Sequence, residues 1–199
     1  HGVAACGKHF PGHGDTSVDS HLDLPLVDHP PDRIRRVELV PFREAIRAGV
    51  AFMMTAHILV PSLDEDLPAT LSSRIVRGIL REELDYDGVI LSDDLEMKAI
   101  AKTWSVPDAA VQAIAAGCDG LLICSGDVDV QMATLEALVH AVEDGRIPFG
   151  RFENALKRQR VAKERFLTTL APPLKSAALR QVLGCDAHRR VAEEMSRCL

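Results

Sequence analysis

A chain of 199 residues, 47% of them hydrophobic and 26% charged, has the make-up of a soluble globular protein with one sizeable core. Its net charge of −6 excludes a general nucleic-acid or membrane-surface binder, which needs a basic face. No apolar run approaches the roughly 20 residues that span a bilayer.

Five cysteines, Cys6, Cys118, Cys124, Cys185 and Cys198, are an odd number with no CxxC pair. That spacing suits neither a disulfide framework nor a zinc knuckle, and buried free thiols in a reducing compartment are expected. The expected location is the cytoplasm. The sequence opens at His1 without an initiator Met, so a natural N-terminus is expected upstream, and a secreted or lipoprotein form stays open.

In chain order, the first apolar run is "VAAC" at residues 3–6, followed by the polar stretch "KHFPGHGDTSVDSH" at 8–21. Residues 33–48 have the apolar spacing of an amphipathic helix, stopped by Gly49. "VAFMM" at 50–54 is the second run, and a helix over 72–84 opens on Ser72, a good N-cap. "GVIL" at 88–91 precedes a helix over 107–116, which has Pro107 in its first turn and Gly117 at its end. "GLLIC" at 120–124 precedes helices over 128–143 and 152–166. "APPLKSAA" at 171–178 reads as a linker, and the tail 179–199 as helical.

Runs this short and apolar read as parallel strands buried on both faces. The strand–helix alternation predicts a parallel α/β architecture with right-handed crossovers. A doubly wound sheet would carry a glycine-rich phosphate turn of fixed spacing after its first strand, and "PGHGDTS" has no such spacing. A (β/α)8 TIM barrel instead places functional residues at the C-terminal ends of its strands. Here "KH", "TAH", "SDD" and "SGD" follow the four runs. The expectation is therefore the last four βα units of a TIM barrel, over residues 1–170. Residues 171–199 are read as a linker and the helical start of a further segment or domain.

Three groups carry candidate chemistry. His9 and His13 are four apart, with Asp15, Asp19 and His21 close by, a spacing that invites a metal. Pro11, Gly12 and Gly14, however, interrupt the helix that an HxxxH zinc pair needs. In an extended segment Asp19 and His21 point to one side, and a carboxylate beside an imidazole makes a proton donor that works near neutral pH. A capping Asp beside a surface His is equally consistent with that spacing. Asp93 and Asp94 follow a buried strand, where a carboxylate can act as a nucleophile, a base or a metal ligand, and Asp94 can equally cap the helix that follows. Lys8 and His9 end the first strand, and His57 holds the equivalent place after the second.

Together "KHFPGHGDTSVDSH" and "GVILSDDLEM" resemble the β-N-acetylhexosaminidases of glycoside hydrolase family 3. "MTAHILVPSLD" and "AVQAIAAGCDGLLIC" look like the same family, so the resemblance covers residues 3–166. It implies a retaining enzyme acting on N-acetylglucosamine in peptidoglycan fragments or related glycosides, without cofactor or metal. Asp93 takes the place of the nucleophile, His21 that of the acid/base and Asp19 that of its dyad partner. Lys8 and His9 match the pair that holds the sugar. The resemblance also implies a missing N-terminal half-barrel, without which the fragment is expected to be inactive. The acceptor, water or phosphate, stays open. A metal-dependent barrel hydrolase with His9, His13, His21 and Asp93 as ligands is the competing reading, and a non-catalytic sugar-binding remnant is the third.

Overall fold

The computed structural model describes residues 3–16, 18–20, 22–167, 179 and 182–197. The chain divides into two compact units, His1–Phe166 and Leu167–Leu199. Among the described residues no helix is long and apolar enough to cross a membrane.

The first unit is built on four parallel strands, β1 (Cys6–Phe10), β2 (Phe52–Thr55), β3 (Val89–Asp94) and β4 (Gly120–Leu122). Their spatial order is β1-β2-β3-β4, so each strand lies beside its neighbour in sequence. A doubly wound sheet reverses its strand order at a switch point, whereas this order never reverses. Right-handed crossovers in a constant order place every helix on one face, which is the winding of a β/α barrel. Along β2, Met53 and Thr55 are buried while Phe52 and Met54 are half-buried, whereas on β3 the consecutive Val89 and Ile90 are both buried, as expected of a strand covered on both faces.

Between β1 and β2 lie α1 (Pro31–Arg36) and α2 (Val40–Arg47), where the sequence suggested one helix. Apolar spacing continues through Pro41, but a proline has no N–H to give to the carbonyl four residues back. The chain turns instead through Val37–Leu39, with the Leu39 N–H on the Ile34 carbonyl at 2.9 Å, and restarts with Pro41 in the first turn. A helix over Arg74–Glu83 follows β2, wound widely enough that the Leu84 N–H reaches the Ile79 carbonyl. Ser72 serves as expected, its hydroxyl accepting from the Ile75 N–H at 3.2 Å. After β3 come α3 (Lys98–Ala101) and α4 (Val106–Ala116). The α4 cap is Ser105, and Gly117 closes the helix at φ +132°, which a side chain adopts only with strain. Next, α5 (Val128–Glu143) matches the sequence reading residue for residue, and α6 (Phe149–Leu167) begins three residues early. In the second unit α7 runs over Asp186–Ser196. The linker read at 171–178 lies outside the described residues.

Helix faces and strand sides meet in a main core that includes Phe10, Leu39, Phe42, Met53, Ile58, Leu71, Ile75, Leu80, Ile90, Leu95 and Ile100, with a smaller cluster of Val111, Ile114, Ala141 and Ile147 beside it. Phe10 stands edge-on to Phe42 at 5.2 Å and so fixes β1 to α2. At the opposite end of the strands, buried Asp119 accepts from the Ile90 N–H at 2.9 Å and pairs with Arg81 and Arg151. Of the described cysteines only Cys118 is buried; Cys6 and Cys124 are exposed. Within these residues, Cys6 on β1 and Cys124 in the loop after β4 are not covered, contrary to the expectation of buried thiols.

Candidate active site

The polar residues gather where the strands end. Strand β3 runs on through Asp94, so Asp93 belongs to the strand itself and not to the loop beyond it. Lys8 and His9 likewise sit inside β1 and do not follow it. The pairing of β1 with β2 shifts register between Gly7 and Phe10, across Lys8 and His9. Across the sheet His9 Nε2 lies 3.6 Å from Asp93 Oδ2, the first meeting of two sequence-nominated residues. Burial holds His9 below the ordinary histidine range; the Asp93 charge opposes this, and Lys8 and His13 add to it. His9 is therefore neutral near neutral pH, and the contact is a polar juxtaposition.

Adjacent carboxylates have separate work. Asp93 Oδ1 accepts from the Asp94 N–H at 2.9 Å, which orients the carboxylate and leaves Oδ2 toward His9. Asp94 Oδ1 accepts from the N–H groups of Glu96 at 3.2 Å and Cys124 at 3.3 Å. It thereby joins the turn after β3 to the loop after β4 and caps no helix. Glu96 strengthens that link, taking the Ser125 N–H at 2.7 Å.

His57 is buried behind this group. Its Nε2 faces the Asp94 carbonyl at 2.9 Å, an atom that can only accept, so Nε2 carries the proton. Its Nδ1 faces the Thr70 hydroxyl at 2.9 Å. Burial pushes its pKa down and keeps the ring neutral. His57 thus fixes the backbone next to Asp93 from behind. The sequence nominated His57 without a role and gave no signal for Thr70, which meets it only through the fold.

Asp19 lies in a turn whose carbonyl accepts from the N–H groups of Leu22 at 2.9 Å and Asp23 at 3.1 Å. His21, nominated as its partner, lies outside the described residues. The next residues are well anchored: Val27 gives its N–H to the Leu59 carbonyl at 2.9 Å, and Leu59 returns one to Pro25 at 2.8 Å. His13, without a task from sequence, accepts or donates at Nδ1 to the Thr16 hydroxyl at 3.0 Å and stands edge-on to His9. A cleft of about 410 Å³ runs past Lys8, His9, His13, Asp15, Arg33 and Glu38. Of these, Asp15 was named only among the side chains close to the His9–His13 pair in the metal reading, and Arg33 and Glu38 carried no signal. Among the described residues no group of three or more His, Cys, Asp or Glu is placed to hold a metal ion.

Fold and site together define a chain of the β/α-barrel class with imidazole and carboxylate side chains at the C-terminal strand ends. The chain matches the "Glycosyl hydrolase family 3 N terminal domain" over residues 1–163. It is 44% identical over 62% of its length to a "Beta-hexosaminidase" of Thiobacillus denitrificans, covering 34% of that protein. It is 35% identical over 98% of its length to "Beta-hexosaminidase A" of Pseudoalteromonas piscicida, covering 35% of that protein. Among solved structures, a glycoside hydrolase family 3 beta-N-acetylglucosaminidase from Paenibacillus sp. superposes with a TM-score of 0.88 at 47% identity, over 98% of this chain and 37% of that one. The chain belongs to glycosyl hydrolase family 3, whose N-terminal domain is of the TIM-barrel type. It spans about a third of the length of the curated relatives it matches.

Proposed function

We propose that this chain carries the nucleophile and the acid/base of a retaining β-N-acetylglucosaminidase that removes terminal N-acetylglucosamine from peptidoglycan fragments or related glycosides. The observation that carries the reading is Asp93, presented at the end of β3 with one oxygen on a backbone N–H and the other toward His9. The names of the relatives supply the class of reaction and the sugar.

Asp93 Oδ2 attacks the anomeric carbon while protonated His21 gives its proton to the leaving-group oxygen, through an oxocarbenium-like transition state. The glycosidic C–O bond breaks as the Asp93–carbon bond forms. Neutral His21 then takes a proton from water, whose oxygen displaces Asp93 and restores the original anomeric configuration. Asp19 orients His21 and favours its protonated form before the first step. Lys8 and His9 hold the sugar, His9 as a neutral hydrogen-bonding group. Residues 1–170 act as the second half of the barrel, and a first half in the same polypeptide completes the sugar pocket.

The test is hydrolysis of an aryl N-acetylglucosaminide by the complete polypeptide that carries this sequence. Asp93→Ala and His21→Ala are each expected to lower turnover by about 100-fold or more. Near-wild-type hydrolysis by either variant contradicts the assignment. Treatment with a chelator is expected to leave the rate unchanged; loss of activity with rescue by zinc would favour metal chemistry instead.

A further inference from the structure

Asp93 stands where the pairing of the sheet gives out. The pairing of β2 with β3 runs from Phe52 opposite Val89 to Met54 opposite Leu91 and stops short of Asp93. On the other side, the register of β3 against β4 shifts between Leu91 and Asp94. An irregularity of this kind re-aims a side chain, and something other than the ladder must then hold it.

Side chains take over that task. On the β4 side the Ser92 hydroxyl accepts the Leu122 N–H at 3.1 Å. On the β2 side His57 Nε2 donates to the Asp94 carbonyl at 2.9 Å. That carbonyl also accepts the Met97 N–H at 3.1 Å, so both of its lone pairs are taken. Asp94 is gripped at its carbonyl, and its own N–H is the group that holds Asp93 Oδ1 at 2.9 Å.

His57 has to be held in its turn. His57, Thr55 and Thr70 are all fully buried, with Thr70 in the single turn Ala69–Leu71. Because Nε2 gives its proton to Asp94, Nδ1 keeps a lone pair that needs a donor. The Thr70 hydroxyl stands 2.9 Å from it. The other acceptor within reach of Thr70 is the Ala56 carbonyl, also at 2.9 Å. A proton given there would strand Nδ1, and a buried polar atom left unpaired is costly. The Thr55 hydroxyl lies 2.9 Å from the Thr70 oxygen and 3.3 Å from the Leu91 carbonyl. Each proton then meets an acceptor in one row: Thr55 to Thr70, Thr70 to Nδ1, and Nε2 to the Asp94 carbonyl.

We propose that Thr70, acting through His57, is a positioning residue for the nucleophile. It fixes the ring whose Nε2–H pins the Asp94 carbonyl, and with it the residue whose N–H aims the Asp93 carboxylate. The inference rests on the reading of Asp93 given above. Fully buried, neither Thr70 nor His57 touches the sugar.

The test is the rate at which a fluorinated N-acetylglucosaminide with a good leaving group labels the complete polypeptide, beside the Kd for N-acetylglucosamine itself. Such a leaving group departs without a proton, so the labelling rate reads the attack by Asp93. Thr70→Val keeps the shape and removes the hydroxyl. It is expected to slow labelling about tenfold or more and to change the Kd by no more than about twofold. Thr70→Ser, which keeps a hydroxyl, should recover most of the rate. Labelling of Thr70→Val at the wild-type rate, no recovery in Thr70→Ser, or a parallel loss of rate and sugar affinity overturns the proposal, the last because general damage to the sheet would do the same. Should Thr70→Val not fold, His57→Gln and His57→Asn decide. The longer amide reaches the place of Nε2 and should label several-fold faster than the shorter one, whereas equal rates overturn the proposal. If the wild type carries no label on Asp93, the nucleophile reading fails and the role of Thr70 with it. Label on Asp93 with Thr70→Val unaffected sinks the positioning role alone.

Discussion

Asp93 and Asp94 show how neighbouring identical side chains come to do different work. A strand sends alternate residues to opposite faces, so one carboxylate of the pair enters the barrel mouth and the other turns to the surrounding backbone. Asp94 accepts two backbone N–H groups from two different loops, and Asp93 accepts one and keeps an oxygen open. Behind them His57 is held neutral by burial, which makes a pH dependence of stability. Unfolding raises its pKa back toward 6.5, so the unfolded chain binds the proton as pH falls below that value while the folded chain does not. Stability from this group is thus complete above about pH 6.5 and lost as pH falls toward its depressed folded value. The unfolding midpoint of the wild type is expected to drop between about pH 6.5 and 5 more steeply than that of His57→Asn. Parallel profiles would show that His57 titrates alike in both states. From sequence, Asp93 and His9 were legible as candidates because each sits at the end of an apolar run. Their meeting was not, because it crosses β2 and depends on the sheet order.

At the scale of elements, the helices bounded by sequence punctuation were the ones read correctly. Ser105 accepts the Asp108 N–H at 3.2 Å and gives its hydroxyl proton to the Asp108 carboxylate at 2.6 Å, so α4 begins where a capping residue stands. Ser105→Ala is expected to cost about 1 kcal/mol, read from a denaturant midpoint with the slope unchanged. A cost near zero would mean that solvent replaces the cap. Helix 33–48 was misread for the converse reason: its apolar spacing is unbroken, and the break comes from an N–H that Pro41 lacks. Strands β1 and β3 extend into their polar motifs because parallel pairing with β2 and β4 outlasts the apolar run. Hydrophobic pattern gives where a strand is buried, and pairing decides where it ends.

At the scale of the molecule, order comes from joints that the sequence leaves unmarked. Asp119 was noticed only within the "GCDG" stretch, yet its fully buried carboxylate draws in Arg81 from the helix after β2 and Arg151 from α6. Removing it leaves two part-buried guanidinium groups without their anion. Asp119→Ala is expected to cost about 3–5 kcal/mol of stability without touching the strand ends where Asp93 sits. A loss below about 1 kcal/mol would show the pair to be as weak as a surface one. The winding was legible, since strand order follows from βα alternation and handedness. The ion pairs that join Asp15 to His29 and Arg33, and Arg33 to Glu38, were not, because the sequence separates what the fold brings together.

All of this converges on one atom, the open oxygen of Asp93. The most direct measurement is to trap the reaction halfway, with a fluorinated N-acetylglucosaminide whose good leaving group departs quickly and whose glycosyl-enzyme hydrolyses slowly. Mass spectrometry of the digested complete polypeptide should then find one added sugar on the peptide bearing Asp93, and none in Asp93→Ala. A sugar on any other residue, or turnover with inversion and no labelled peptide, would contradict the account.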